Sequence, residues 1–173
     1  MHDIVRLARA TGGATYHHFP TKKSLGVAVI RERVARAIED TWIQPMKSAR
    51  STLDGVLTVF AEVIASLDQR RVVSGCEISN LALELALADE EFRVALRGVF
   101  DRWRDAIADR IRSEQAAGAL DDNDADELAT FIVASYSGAM AIAKTAQDSA
   151  ALKSCALQLA RVMSPRRPTV RRG

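Results

Sequence analysis

The stretch "GGATYHHFPTKKSL", residues 12 to 25, gathers Tyr16, His17, His18, Lys22 and Lys23 around Pro20, in a chain that is only 5% aromatic. Hydroxyl, imidazole and ammonium donors in such a cluster are the groups that hold phosphates, and Thr11 just ahead adds another hydroxyl. Gly12 and Gly13 put almost no bulk at a helix start, so its backbone N–H groups can approach an anion. Ala14 offers a methyl group that can meet a thymine methyl. Lys22 and Lys23 fall in the first turn of a helix, after Thr21 as its cap. Cations there oppose the helix dipole at a cost of a few tenths of a kcal/mol each, and a phosphate nearby reverses that sign. The pattern therefore reads as nucleic-acid binding, with a plain basic helix end as the alternative.

Other chemistries fit poorly. Neighbouring histidines on a helix point about 100° apart, so His17 and His18 do not form a metal pair. Neither has a local nucleophile and orienting carboxylate for catalysis. Asp122, Asp124 and Asp126 alternate like calcium ligands, but Glu127 and Val133 stand where an EF-hand loop needs Gly and Glu. No metal spacing, phosphate loop or nucleophile motif is found, so no catalytic residue, metal site or cofactor is expected. Two cysteines, Cys76 and Cys155, make no disulfide framework, and a reducing cytoplasm is the expected setting.

The elements that position this cluster are helical. The chain has 173 residues, 48% hydrophobic and 27% charged, with nine glycines and four prolines. Its mean hydropathy is −0.04. An all-α fold is expected, with no run long enough to cross a membrane. "DIVRLARAT" makes a short amphipathic helix with Ile4, Leu7 and Ala8 on one face, and "GGATYHHF" adds one to two turns before Pro20. Two short helices, a tight turn and then a long helix form the layout of a helix-turn-helix.

Val27, Ile30, Val34, Ile38 and Trp42 repeat at helical spacing, which predicts one helix over 21–44 that Pro45 breaks. Further stripes predict helices over Leu53 to Leu67, with Ser51 and Asp54 resembling a capping box, then over 76–87 after Gly75, and from Phe92 to Ile111 with its end near Gly118. Asp124 with Glu127 caps the next helix, 124–146, and the last covers 149–163. Ala134, Gly138 and Ala141 put small residues on one face of the former. Leu152, Ala156, Leu159 and Met163 line the latter, and this pair serves either a subunit interface or an internal contact. The tail "PRRPTVRRG" reads as a solvated end.

Charge is uneven. Residues 1–50 hold nine Lys/Arg against four Asp/Glu, residues 51–163 eleven against eighteen, and the last ten residues add four arginines and no acid. A basic front on an acidic body suits an anionic partner near the N-terminus, or simply solvates the surface.

At these residues the chain resembles the TetR/AcrR family of ligand-controlled transcriptional repressors. Asp3, Ile4, Thr11, Gly13, Tyr16, His18, Phe19, Thr21, Lys22 and Leu25 follow the family's helix-turn-helix pattern without a gap. "GCEISNLALELA" and "FDRWRDAIADRIRSEQAAGALDDN" resemble the ligand-binding and dimerisation domain of its LmrA-like branch. The resemblance implies a partial helix-turn-helix and connecting helix over 1–45, an effector-binding and dimerisation domain over 46–163, and a basic tail over 164–173. It places DNA contacts at Thr11, Gly12, Gly13, Tyr16, His17, His18 and Lys22. It implies a homodimer joined through the last two helices, at Ala134, Gly138, Ala141, Leu152 and Leu159. It also implies a pocket for a small apolar or amphipathic effector among Phe60, Ile64, Asn80, Phe100, Trp103, Tyr136 and Met140. Effector binding would then shift the recognition helices between two spacings on double-stranded operator DNA.

Two departures from the family pattern stand out. Arg9 replaces the usual turn glycine, and the family carries a first helix and the start of a second ahead of the position of Met1. Met1 falls where the family often has Val, so an upstream start through a Val codon is the expectation, and the chain as given should bind DNA weakly. The alternative is a DNA-silent dimeric helical protein that binds a small molecule or a partner.

Overall fold

The computed structural model describes residues 6–7, 12–70 and 72–164. Seven helices and no strand occur among them, in agreement with the all-α expectation. Helix α1 is Gly12–His18. Helix α2 runs over 22–48, α3 is Thr52–Gln69 and α4 is Glu77–Leu85. Helices α5, α6 and α7 are Glu90–Ala116, Ala125–Ala146 and Ala150–Met163. Ile4, Ala8, Thr11 and the tail from residue 165 lie outside the described residues.

Capping chemistry sets most of the boundaries. Thr21 Oγ1 accepts from the Ser24 amide at 2.9 Å, and Ser24 Oγ accepts from the Thr21 amide at 3.1 Å, a reciprocal box that starts α2. Ser51 Oγ caps α3 through the Asp54 amide at 3.1 Å. The Asp54 carboxylate does not return to Ser51 but binds Arg50, so the box expected there is only half made. Asp89 and Asp124 cap α5 and α6 in the same way. Gly75 and Gly118 take left-handed φ of +83° and +69° at the breaks where glycine is sterically easy.

Pro45 does not end α2. The helix continues to Ser48, and two wide π turns interrupt it, at Ile30–Val34 and Glu39–Ile43. The second turn moves the Gln44 amide onto the Glu39 carbonyl. The hydrogen-bond register thus shifts immediately before the residue that has no N–H to give. A boundary at 45/46 would fall inside this continuous helix.

Val27, Ile30, Val34, Ile38 and Trp42 are all buried, so the stripe read in the sequence is the face that α2 turns inward. That face packs on α5, which also carries α4 and α6, while α7 closes the layer between α3 and α6. At the centre Trp42 meets Trp103 at 5.1 Å, Tyr136 at 4.9 Å and Phe60 at 6.1 Å, the last two edge-on. Four aromatic side chains from α2, α3, α5 and α6 thus share one contact cluster. Burying each stabilises the fold by roughly 1.5–3 kcal/mol, and edge-to-face pairing adds to that.

The expectation that no run is long enough to span a membrane is corrected for α6. It is 22 residues long, and an 18-residue stretch of it reaches a mean hydropathy of 1.2, which is long and apolar enough by length and composition. Repeated alanines raise that value. One face of the helix packs into the fold, with Ala129, Ile132, Tyr136, Ala139 and Ala143 buried against its neighbours.

Candidate nucleic-acid interface and effector cavity

Of the residues expected to meet DNA, Tyr16, His17, His18 and Lys22 are exposed, Tyr16 at 43%. They lie on α1 and on the first turn of α2, so they share one end of the molecule. Gly13 is open, with no atom within 4 Å of where a Cβ would stand. The His17 and His18 rings are 5.4 Å apart and edge-on. Phe19 is half-buried beneath them. Thr11 cannot be placed, since it lies outside the described residues.

The two lysines of the cluster part company. Lys23 turns back onto the start of α5, with Nζ 3.3 Å from Asp89 and 2.5 Å from Glu91. Hydrogen bonds to Glu91 and then Asp89 hold its pKa above the ordinary lysine value. The anion that offsets its unfavourable place in the helix dipole is therefore supplied by the protein. Lys22 is exposed and makes no ion pair among the described residues, so it remains available to an external anion. One turn on, a Cβ on Gly26 would stand 2.9 Å from the Phe92 ring. Glycine there lets α2 lie directly against α5.

A cavity of about 400 Å³ opens beside the aromatic cluster, between α2, α3, α6 and the 70–78 segment. Val34, Ile38, Trp42, Val63, Leu67, Cys76, Ile78, Tyr136 and Met140 supply its apolar wall, and Asp40, Glu62, Arg70 and Glu77 its charges. Tyr136 and Met140 are the expected pocket residues that line it. Phe60 and Trp103 are fully buried in the cluster behind the wall. Phe100 stacks on Trp103 at 6.2 Å. Asn80 instead donates to the Ser74 carbonyl at 2.9 Å and accepts from Lys144 at 3.1 Å, which fastens the loop around Gly75. Ile64 is half-buried and packs against the core rather than lining the cavity. The periodicity of α3 marks its buried stripe but not which stripe residues meet an opening.

Sequence reasoning missed Trp42 and Cys76 as wall residues. In the sequence Trp42 is only the end of an apolar stripe, and the π turn that carries it leaves no composition signal. Its indole Nε1 lies beside the Tyr136 oxygen, close enough to lower the phenol pKa but outside hydrogen-bond geometry. Burial is the larger influence and pushes the Tyr136 phenol up, and a charged Cys76 thiolate would push in the same direction. Tyr136 therefore keeps its proton at neutral pH. That proton has no acceptor among the described residues.

The residues expected at a subunit interface divide as well. Ala134, Gly138 and Ala141 are exposed on α6, and Gly138 has open space around it. Leu152 and Leu159 are 0% and 1% exposed, because they point into the layer between α3 and α6. They are corrected to internal packing residues. Phe131 and Ile142 on α6 and Leu157 and Val162 on α7 are the large apolar side chains left exposed on these helices. Among the described residues no group of His, Cys, Asp and Glu is placed to hold a metal ion.

Comparison with known proteins gives consistent results. Residues 52–158 match the family of the LmrA/YxaF-like transcriptional regulator C-terminal domain. The chain is 31% identical over 146 residues to the transcriptional regulator AcuR of Cereibacter sphaeroides, covering 82% of this chain and 65% of AcuR. It thus spans less than two thirds of that relative's length. It is 28% identical over 161 residues to an HTH-type transcriptional regulator encoded in the lacX 3' region of Lactococcus lactis, covering 89% of this chain and 77% of that protein. The crystal structure of a TetR regulatory protein from Rhodobacter sphaeroides superposes with a TM-score of 0.80 at 27% identity, covering 94% of this chain and 86% of that one. Reduced Escherichia coli NemR superposes with a TM-score of 0.86 at 18% identity, over 96% and 88% of the two chains, a likeness of fold alone.

Proposed function

Because the chain belongs to the TetR family of transcriptional regulators, we propose that it is a repressor that binds operator DNA as a homodimer and releases it when a small molecule fills the cavity. The observation that carries this reading is the course of α2. One helix begins at exposed Lys22, beside His17 and His18, and continues through its π turns to Trp42 in the cavity wall. A ligand that moves Trp42 is therefore mechanically joined to the residues proposed to face DNA.

In this reading Thr11, Gly12, Gly13, Tyr16, His17, His18 and Lys22 meet the double helix, chiefly its phosphates. Ala134, Gly138 and Ala141, widened by Phe131, Ile142, Leu157 and Val162, form the dimer face. Small residues at its centre allow a partner helix to approach closely, and the large apolar side chains around them need cover. The effector is small and apolar or amphipathic, to suit the wall. The protein acts as a cytoplasmic regulator rather than as an enzyme.

The test is fluorescence anisotropy of the full chain on DNA from upstream of its own gene, across a salt series, beside light scattering for mass. The expected result is a dimer whose DNA affinity falls steeply with salt. Gly138→Arg should yield a folded monomer that loses DNA binding. A folded dimer indifferent to DNA at low salt would favour a DNA-silent ligand-binding protein instead.

A further inference from the structure

The cavity wall holds a phenol donor with nothing in the protein to receive it. The Tyr136 side chain is 5% exposed, lines the cavity and finds no acceptor for its proton among the described residues. Buried polar groups rarely stay unpaired, because an unmade hydrogen bond in a low-dielectric site is costly. Behind it Trp42 Nε1 is also buried without a hydrogen-bond partner and faces the Tyr136 oxygen. A donor aimed at that oxygen polarises the O–H and strengthens whatever bond the proton makes next.

The second observation is local backbone. Trp42 belongs to the π turn Glu39–Ile43, and such turns concentrate at functional sites because they keep an alternative α-helical register available.

Charge around the mouth narrows the ligand class. Asp40 is paired with Arg36 at 3.3 Å. Glu62 and Glu77 have no cationic partner among the described residues, and Arg70 is the one basic lining residue. An ionised carboxylate would meet this net acidic rim and then find only neutral donors inside, the Tyr136 phenol and the Thr41 and Ser66 hydroxyls. Neutral donors without a cation do not repay the desolvation of a charge. An ammonium ion would find its carboxylates only at the exposed rim, on Asp40, Glu62 and Glu77, and would stay there.

We propose that the cavity takes a neutral amphiphile whose carbonyl-type oxygen accepts the Tyr136 proton while its apolar part lies on Val34, Ile38, Val63, Leu67 and Met140. This rests on the effector-cavity reading above and specifies its chemistry.

The experiment is calorimetric titration of the full chain at pH 7 with acetophenone, toluene, benzoate and benzylammonium, which share one ring and differ in the polar group. Wild type should bind acetophenone about three- to ten-fold more tightly than toluene, the worth of one neutral hydrogen bond. It should bind benzoate more weakly than acetophenone. Tyr136→Phe keeps the ring and its packing; it should erase the preference for acetophenone while leaving toluene unchanged. Tighter binding of benzoate or benzylammonium, or an acetophenone preference that survives in Tyr136→Phe, overturns the proposal. If none of the four binds to the folded protein, the effector cavity itself is refuted and the ligand class falls with it.

Discussion

The two ends of α2 are built on opposite principles. At its start, Tyr16, His17, His18 and Lys22 stand in solvent, held by a short helix and a capping box. Near its other end, Trp42 is 1% exposed among Trp103, Tyr136 and Phe60. The first region keeps its polar groups free for a partner. The second uses nearly all its surface on itself and leaves over only the Tyr136 proton and the two indole N–H groups. A helix spanning the two can report on one from the other, provided the inner end is much the stiffer.

The largest effect that bears on this contrast should come from Trp103→Ala. Its side chain is fully buried and its Nε1 has no partner, so the loss is apolar contact plus a cavity, about 3–5 kcal/mol in urea unfolding. A loss below 1 kcal/mol would mean that the aromatic cluster does not hold the body together.

Glu114→Ala tests how α5 fastens the far end of α2. The Glu114 carboxylate accepts from the Thr52 amide at 2.6 Å and from Arg110 at 2.9 Å, and Arg110 in turn donates to the Ala49 carbonyl. Removing the acceptor leaves a half-buried amide unpaired, at about 1–3 kcal/mol by urea unfolding. Gly75→Ala should cost about 1–2 kcal/mol, since φ is +83° and the new Cβ would stand 3.0 Å from Lys144 Cδ. Its thermal midpoint should fall together with its affinity for acetophenone, because Gly75 lines the cavity.

At the exposed end the same kind of substitution should leave stability alone. Lys22→Ala should keep the wild-type thermal midpoint but lower the salt dependence of DNA binding by about one unit of slope. Lys23→Met should leave that slope unchanged, because Asp89 and Glu91 already occupy its charge. Equal slopes for the two variants would erase the distinction between them.

The smallest effect concerns acid. Bonds from Ser149 and then Lys153 lower the pKa of Asp68, as Arg50 does for Asp54. A carboxylate lowered in the folded state contributes its full stability above its unfolded value, and that contribution fades as pH falls through the native value. The thermal midpoint should therefore be flat above about pH 5 and decline below about pH 4. Asp68→Asn should show a shallower decline.

Most of the fold was legible because helices are written locally. The 3.6-residue stripes of α2, α3 and α5 marked their buried faces, and Thr21, Ser51 and Asp124 marked starts. Pro45 misled, because a π turn is a matter of hydrogen-bond register and has no side-chain signature. Leu152 and Leu159 misled for a different reason. An apolar stripe says that a face is covered, not whether the cover belongs to the same chain.

The sequence by itself therefore determined the helices, their caps and the polar cluster at 16–22, since each depends on residues within a turn or two of one another. Only the tertiary structure decided which lysine is free, which stripe residues meet an opening and which donors are left without an acceptor. Lys22 and Lys23 are adjacent and identical in type, and they differ because α5 places two carboxylates beside one of them. Trp42, Cys76 and Tyr136 meet at one wall from three parts of the chain, and convergence over that distance is set by packing rather than by any local preference.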